Sequence, residues 1–322
     1  MTDPDPSAAP ASIPVEAAAT HVAATRYGFL ERAGARLRYA VWNAGGTARG
    51  TIVLLPGRTE FIEKYATELV GELQARGYAV MSMDWRGQGL SDRALTDRDK
   101  GHIDDFATYI ADFQLFLDRL VVPQAPRPLA LLCHSMGAHI GLRALAENGP
   151  GPFSAAMFVA PMTGLKRENM LRGLLQLVPP WARMEERYLA GTGPFVAAAQ
   201  TFAGNVLTHD ERRFRFTEQW FAADPRLALG GPTLGWARQA ARSMSLLRSP
   251  GFLERIDLPA LVLSAAEDTL VEPATHAPVA RRLQRGEYLS IAGARHEIMM
   301  ETDTIRRRFW EAFDRMAKGT TR

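Results

Sequence analysis

The chain of 322 residues holds a single cysteine, Cys133, so it has no internal disulfide framework, and a reducing compartment is permitted. No apolar run approaches the ~18–20 residues of a membrane-spanning helix. There is no long basic block, no zinc-ligand spacing and no RNA-binding signature, and the formal net charge is only +3. Nucleic acid is therefore not an expected partner. The opening stretch MTDPDPSAAPASIPVEAAAT lacks the basic and apolar regions of a signal peptide. Residues 1–25 are expected to form a disordered tail, and the protein is expected in the cytoplasm, with contact at the inner membrane face no closer than peripheral.

What the chain does have is a 47% share of hydrophobic residues, enough for one large domain carrying an insertion. From Tyr27, alternating residues predict two antiparallel strands with a turn at Gly34. Buried-type runs then alternate with helical patterns. TIVLLPG, YAVMSMDW, PLALLCH and SAAMFVAPM read as strands; FIEKYATELVGELQARG, IDDFATYIADFQLFLDRLV and MGAHIGLRALAENG read as helices. Such alternation predicts an α/β fold with a mostly parallel sheet covered by helices on both faces. It stops between Thr163 and Arg248 and resumes with PALVLSAAED, ATHAPVARRLQRG, EYLSIAGA and DTIRRRFWEAFDRMA. Residues 26–162 and 249–322 are thus expected to form the core, and 163–248 a helical cap insertion.

In PLALLCHSMGAHIGLRAL, one hydroxyl stands where a predicted strand turns into a helix. Ligands of open α/β sheets bind at the carboxyl ends of strands. A sharp turn there exposes Ser135 and aims the free amides of the first helical turn at the same point, Met136 among them. The usual pattern is G-x-S-x-G; here Cys133 replaces the first glycine and Gly137 is kept. Cysteine is small and apolar, so the turn is expected to survive.

A serine nucleophile needs a base, and the base an orienting carboxylate. Asp268 follows one later predicted strand and His296 the last, so all three groups fall on one edge of the sheet. Glu267 is a rival acid, placed nearer the strand. In LLPGRTEFIEKY, Gly57 lets the backbone approach, the Arg58 amide is a second oxyanion donor, and Glu60 holds the loop in shape. The Arg58 guanidinium is a candidate contact for an anionic head group. His134 and His139 lack the spacing and the carboxylates of a metal site; His134 is expected beneath the turn. His21, His102, His209 and His276 read as surface or loop residues. No metal or organic cofactor is expected.

With these residues in place, the chain resembles the α/β-hydrolase superfamily, in particular its monoglyceride lipases and bacterial lysophospholipases. The matching segments are PGRTEFIEKY, DWRGQGLSD, GHIDDFATYIADF, HSMGAHIGLRAL, APMTGL, AEDTLVEP and AGARHEIMME, spanning roughly residues 50 to 318. The resemblance implies the α/β-hydrolase fold and a Ser135–His296–Asp268 triad. It also implies that Asp84, Arg86 and Gly87 shape a structural turn. The chain departs from the family in having Pro56-Gly57 where His-Gly is usual, and Cys133 where Gly is usual.

The expected substrate is the ester of a single-chain lipid, a lysophospholipid or a monoacylglycerol, cleaved through an acyl-enzyme. In MLRGLLQLVPPWARM, residues Met170, Leu171, Leu174, Leu175 and Val178 share one helical face. Arg58, Leu174 and Val178 are the candidate substrate contacts. The cap carries 12 Lys or Arg against 7 Asp or Glu, a balance suited to peripheral contact with an anionic lipid surface. Alternatives are an acyltransferase using the same acyl-enzyme and a non-catalytic binding protein. Dehalogenation or epoxide opening on this fold usually needs an aspartate at position 135.

Overall fold

The computed structural model describes residues 5–166, 168–177 and 184–319. A single helical turn, α1 (Val15–Ala18), precedes an antiparallel hairpin of β1 (Arg26–Arg32) and β2 (Ala35–Trp42). The turn residues Ala33 and Gly34 take φ of 48° and 73°, a geometry whose twist matches the flanking strands. Six further strands follow: β3 (Gly50–Leu55), β4 (Tyr78–Met83), β5 (Leu129–His134), β6 (Phe153–Val159), β7 (Ala260–Ala265) and β8 (Gly286–Ile291). The sheet runs β1-β2-β4-β3-β5-β6-β7-β8. β2 is antiparallel to β1 and β4, and the remaining pairs are parallel.

Helices cover both faces, as the fully buried strands β3, β4 and β7 require. On one face, α2 (Ile62–Ala66), α3 (Leu69–Ala75) and, at the end of the chain, a long C-terminal helix pack Ile62, Leu69, Phe309 and Phe313 against Ile52, Leu54 and Leu132. The other face is covered by α4 (Ala107–Phe116) and α6 (Ser135–Asn148), which pack Phe113 and Ile140 against Val53, Leu55 and Leu131; the short α5 (Val122–Gln124), with no buried residue, lies between them in the chain. Successive strand residues thus enter opposite cores, the period of two that a pleat imposes. Between β6 and β7 lie α7 (Glu168–Leu177), α8 (Glu211–Ala223) and α9 (Leu234–Arg248); α10 (His276–Arg282) and α11 (Asp303–Gly319) complete the chain. Among the described residues of 163–248 there is no strand, only isolated bridges such as Tyr188 with Thr233.

Two segments differ from expectation. Residues 61–77, read as one helix, form two, because the backbone turns out of helical geometry at Glu68 (φ −139°, ψ −52°). At this break the stretch between β6 and β7 docks: Trp220 Nε1 of α8 donates to Thr67 Oγ1 at 3.0 Å, and Arg213 pairs with Glu68. The N-terminal segment, read as a tail, packs on the protein. Ala8 and Ala17 have no exposed surface, and Arg38 donates to the Ala8 carbonyl at 2.5 Å. Ala17 joins Phe61, Leu90, Phe216, Trp220 and Leu227 in a small apolar cluster shared by tail, core and cap. A run of small and proline residues hides this docking from a composition argument, since the apolar surface it meets lies on other elements.

Candidate active site

The chain leaves β3 to form β4 on one side and returns to form β5 on the other, which makes the crevice above β3 and β5 a topological switch point. Both carboxyl ends there are built by close packing. Ser135 takes φ +50°, a strained geometry for a residue with a side chain. It is held because α6 starts hard against β3: a β-carbon on Gly137 would stand 2.4 Å from the Pro56 carbonyl oxygen. A β-carbon on Gly57 would stand 3.1 Å from that of Ser135 and 3.0 Å from His134 Nδ1. Glycine is needed at both positions for the two loops to meet. Cys133, at the place of the family's first glycine, is buried against Gly141 of α6, whose missing side chain leaves room for the sulfur.

Ser135, Asp268 and His296 come together. His296 Nε2 lies 3.0 Å from Ser135 Oγ, and His296 Nδ1 lies 2.6 Å from Asp268 Oδ2. Because the Nδ1 proton faces a carboxylate, Nε2 is the acceptor for the serine hydroxyl. The second carboxylate oxygen, Oδ1, accepts the Leu270 and Val271 amides at 2.8 and 3.0 Å. Burial pushes the Asp268 carboxyl up, but the hydrogen bond and charge of His296, with these amides, hold it below its ordinary value. The rival Glu267 is exposed and stands 3.6 Å from His209. The arrangement can deprotonate a buried hydroxyl and stabilise the imidazolium that results.

Met136 lies in the first turn of α6, where amides have no intrahelical acceptor. Arg58 follows Gly57 on the facing loop. Gln88 of DWRGQGLSD bridges the two, accepting the Thr59 amide at 2.6 Å and lying 3.7 Å from Met136 Sδ. Asp84 organises the same loop by accepting Ile62 and Leu90 amides, and Arg86 forms a two-point pair with Asp112 at 2.8 Å. The Arg58 guanidinium does not stand free: it donates to the Gly230 carbonyl of the cap at 2.7 Å and lies over the Trp236 ring at 5.3 Å. Burial pulls it down to about 10. Of the other proposed substrate contacts, Val178 and the side chain of Leu174 lie outside the described residues, as does the side chain of Met170 on the same expected helical face. Leu175 is buried, and Leu171 packs on the core.

Sequence reasoning missed a buried polar network beneath the site. Glu60 accepts the Gly57 amide, the Tyr65 hydroxyl, Lys64 Nζ at 2.8 Å and His134 Nδ1 at 2.9 Å. Lys64 Nζ also donates to Glu297 at 2.5 Å. Burial opposes the charge of Glu60, yet His134 and Lys64 hold its carboxyl well below the usual range. His276 and His102, read as surface or loop residues, are buried. His276 lies between Ser264 Oγ and the Pro161 carbonyl, and His102 between Thr233 Oγ1 and Asp104. Among the described residues no group of three or more His, Cys, Asp or Glu is placed to hold a metal ion.

Residues 46–303 match the family described as serine aminopeptidase, S33. The chain belongs to that family, within the α/β-hydrolase fold. Lysophospholipase L2 of Escherichia coli (strain K12) is 35% identical over 268 residues, covering 79% of this chain and 76% of that protein. The probable lysophospholipase L2 of Haemophilus influenzae is 28% identical over 260 residues, covering 80% of each. A soluble variant of Saccharomyces cerevisiae monoglyceride lipase, solved with a substrate analog, superposes with a TM-score of 0.71 at 19% identity, covering 91% of this chain and 96% of that one. This last likeness is one of fold.

Proposed function

We propose that the protein hydrolyses carboxylic esters of single-chain lipids, lysophospholipids or monoacylglycerols, through an acyl-enzyme on Ser135. His296 takes the serine proton as Oγ attacks the ester carbonyl, and Asp268 holds the imidazole in the required tautomer. The Met136 and Arg58 amides receive the oxyanion. His296 then protonates the leaving alcohol, and water, activated by the same imidazole, releases the fatty acid. The observation that carries this reading is the 3.0 Å approach of His296 Nε2 to Ser135 Oγ, in a chain 35% identical to a lysophospholipase. The excess of positive charge on the cap supports peripheral contact with an anionic lipid surface; no described helix is long and apolar enough to cross a membrane.

The family's description favours a second reading, cleavage of an N-terminal residue from a peptide. A peptide amine needs a carboxylate to receive it, and among the described residues the buried ones beside the site are engaged, Asp268 by His296, Glu60 and Glu297 by Lys64, which leaves the exposed Glu267. The test is a panel of lysophospholipids, monoacylglycerols, nitrophenyl esters and aminoacyl anilides, with product analysis in the presence of an acceptor lipid. Fatty-acid release that rises with acyl-chain length supports the proposal. Anilide cleavage, or transfer of the acyl group to the acceptor, would replace it.

A further inference from the structure

His134 sits directly beneath the reacting groups with its two ring nitrogens facing acceptors. Nδ1 is 2.9 Å from Glu60 Oε2, and Nε2 is 3.1 Å from the backbone carbonyl oxygen of His296. A carbonyl oxygen can only accept, and Glu60 already receives three other donors, so it acts as a carboxylate. A neutral imidazole would press a lone pair against one of these oxygens in a site sealed from water. Only the ring with both protons satisfies both contacts.

We propose that His134 is a positioning residue that works as an imidazolium at neutral pH, tying the oxyanion loop to the backbone of the catalytic histidine. Its Nδ1–H fixes Glu60, which holds the Gly57 amide beside Ser135; its Nε2–H fixes the His296 carbonyl. The proposal rests on the reading of Ser135 and His296 given above. The charge is balanced locally: Glu60 and Glu297 face Lys64 and the imidazolium. The titratable groups around the ring from the packed elements are Glu60, Lys64 and Tyr65 on the oxyanion loop and α2, and Glu297 and His296 after β8; Cys133, the neighbour on β5, points to the opposite face of the sheet. The His134 and His296 rings are 4.9 Å apart between centroids.

Burial alone would drive the proton from His134; the charge and hydrogen bond of Glu60 outweigh it, and the group is shifted upward from its ordinary 6.5. The linkage is full below that value and is lost as pH rises through the shifted one. Activity therefore acquires an alkaline limb that belongs to His134.

The test is nitrogen NMR of the isotope-labelled protein, with His134 assigned through its backbone, together with kcat and KM for a nitrophenyl ester across pH. Both His134 nitrogens are expected in the protonated range at pH 7 in the wild type, and one unprotonated in Glu60→Gln. His134→Gln is expected to lower kcat by about tenfold to a hundredfold through misplacement, to leave KM within about twofold, and to remove the alkaline limb. One unprotonated nitrogen in the wild type, or wild-type kcat and pH profile in His134→Gln, overturns the proposal. If His134→Gln does not fold, the wild-type spectrum decides. Ser135→Ala separates the two readings: if that variant is inactive while His134→Gln behaves as wild type, only the role of His134 falls. Activity surviving in Ser135→Ala removes the acyl-enzyme reading, and the nitrogen shifts still decide the charge on His134.

Discussion

The Cys133 sulfur lies 3.0 Å from the point where a β-carbon on Gly141 would stand. Gly141 on the following helix leaves the sulfur its room, so that strand and helix keep their close approach. Two predictions about one pair follow. Gly141→Ala gains about 1 kcal/mol of helix propensity but loses about 1–3 kcal/mol by overpacking, and is expected to be destabilising. With Cys133→Gly also present, the same substitution is expected to stabilise. A double-mutant cycle in urea checks the sign of the coupling; additive effects would mean the two residues do not share this space.

Asp268→Asn keeps the shape of the site but turns an acceptor into a donor toward His296 Nδ1, so the imidazole adopts the wrong tautomer. A fall in kcat on the order of 10⁴-fold is expected, with thermal stability little changed. The check is steady-state kinetics beside a melting curve. Glu267→Gln, at the exposed neighbouring acid, is expected to leave kcat within about twofold.

Acid should loosen the root of the cap. His139 bonds the Met162 carbonyl and Ser243 of α9, and His276 bonds the Pro161 carbonyl, so two buried imidazoles hold the stretch where the chain leaves β6. Burial pushes His139 down to about 3 and His276 down to about 4. A histidine whose folded value is lowered binds fewer protons folded than unfolded, so stability falls as pH drops from about 6.5 toward those values. Melting temperature measured from pH 7 to pH 4 is expected to decline less steeply in His276→Gln than in the wild type, even though the variant starts lower.

The N-terminal segment gives a contrast within one helical turn. Val15 is 91% exposed and Ala17 is fully buried in the cluster with Trp220 and Leu227. Ala17→Asp is expected to cost about 2–4 kcal/mol by burying an unpaired charge, and Val15→Asp within about 0.5 kcal/mol of nothing. Urea denaturation measures both.

Ser135, Asp268 and His296 were legible because each sits just past a run of buried-type residues, and strand ends in a parallel sheet share an edge. The parallel order, the Gly34 turn and the helices between β6 and β7 were legible for similarly local reasons. The His134–Glu60, His134–His296 and Lys64–Glu297 contacts were not, since they join residues 74, 162 and 233 positions apart. Nothing in the local pattern of EKY or RHE marks those charges as buried. The break at Thr67–Glu68 was hidden for a related reason: the groups that contact it, Trp220 and Arg213, come from α8, far along the chain.

The most direct measurement is covalent capture of the nucleophile during hydrolysis of a single-chain lipid ester. Wild-type protein treated with a fluorophosphonate is expected to gain one phosphonyl mass on the peptide containing Ser135 and to stop releasing fatty acid in proportion to labelling. Ser135→Ala is expected neither to label nor to release fatty acid. Fatty-acid release from folded Ser135→Ala at the wild-type rate would contradict the proposed chemistry.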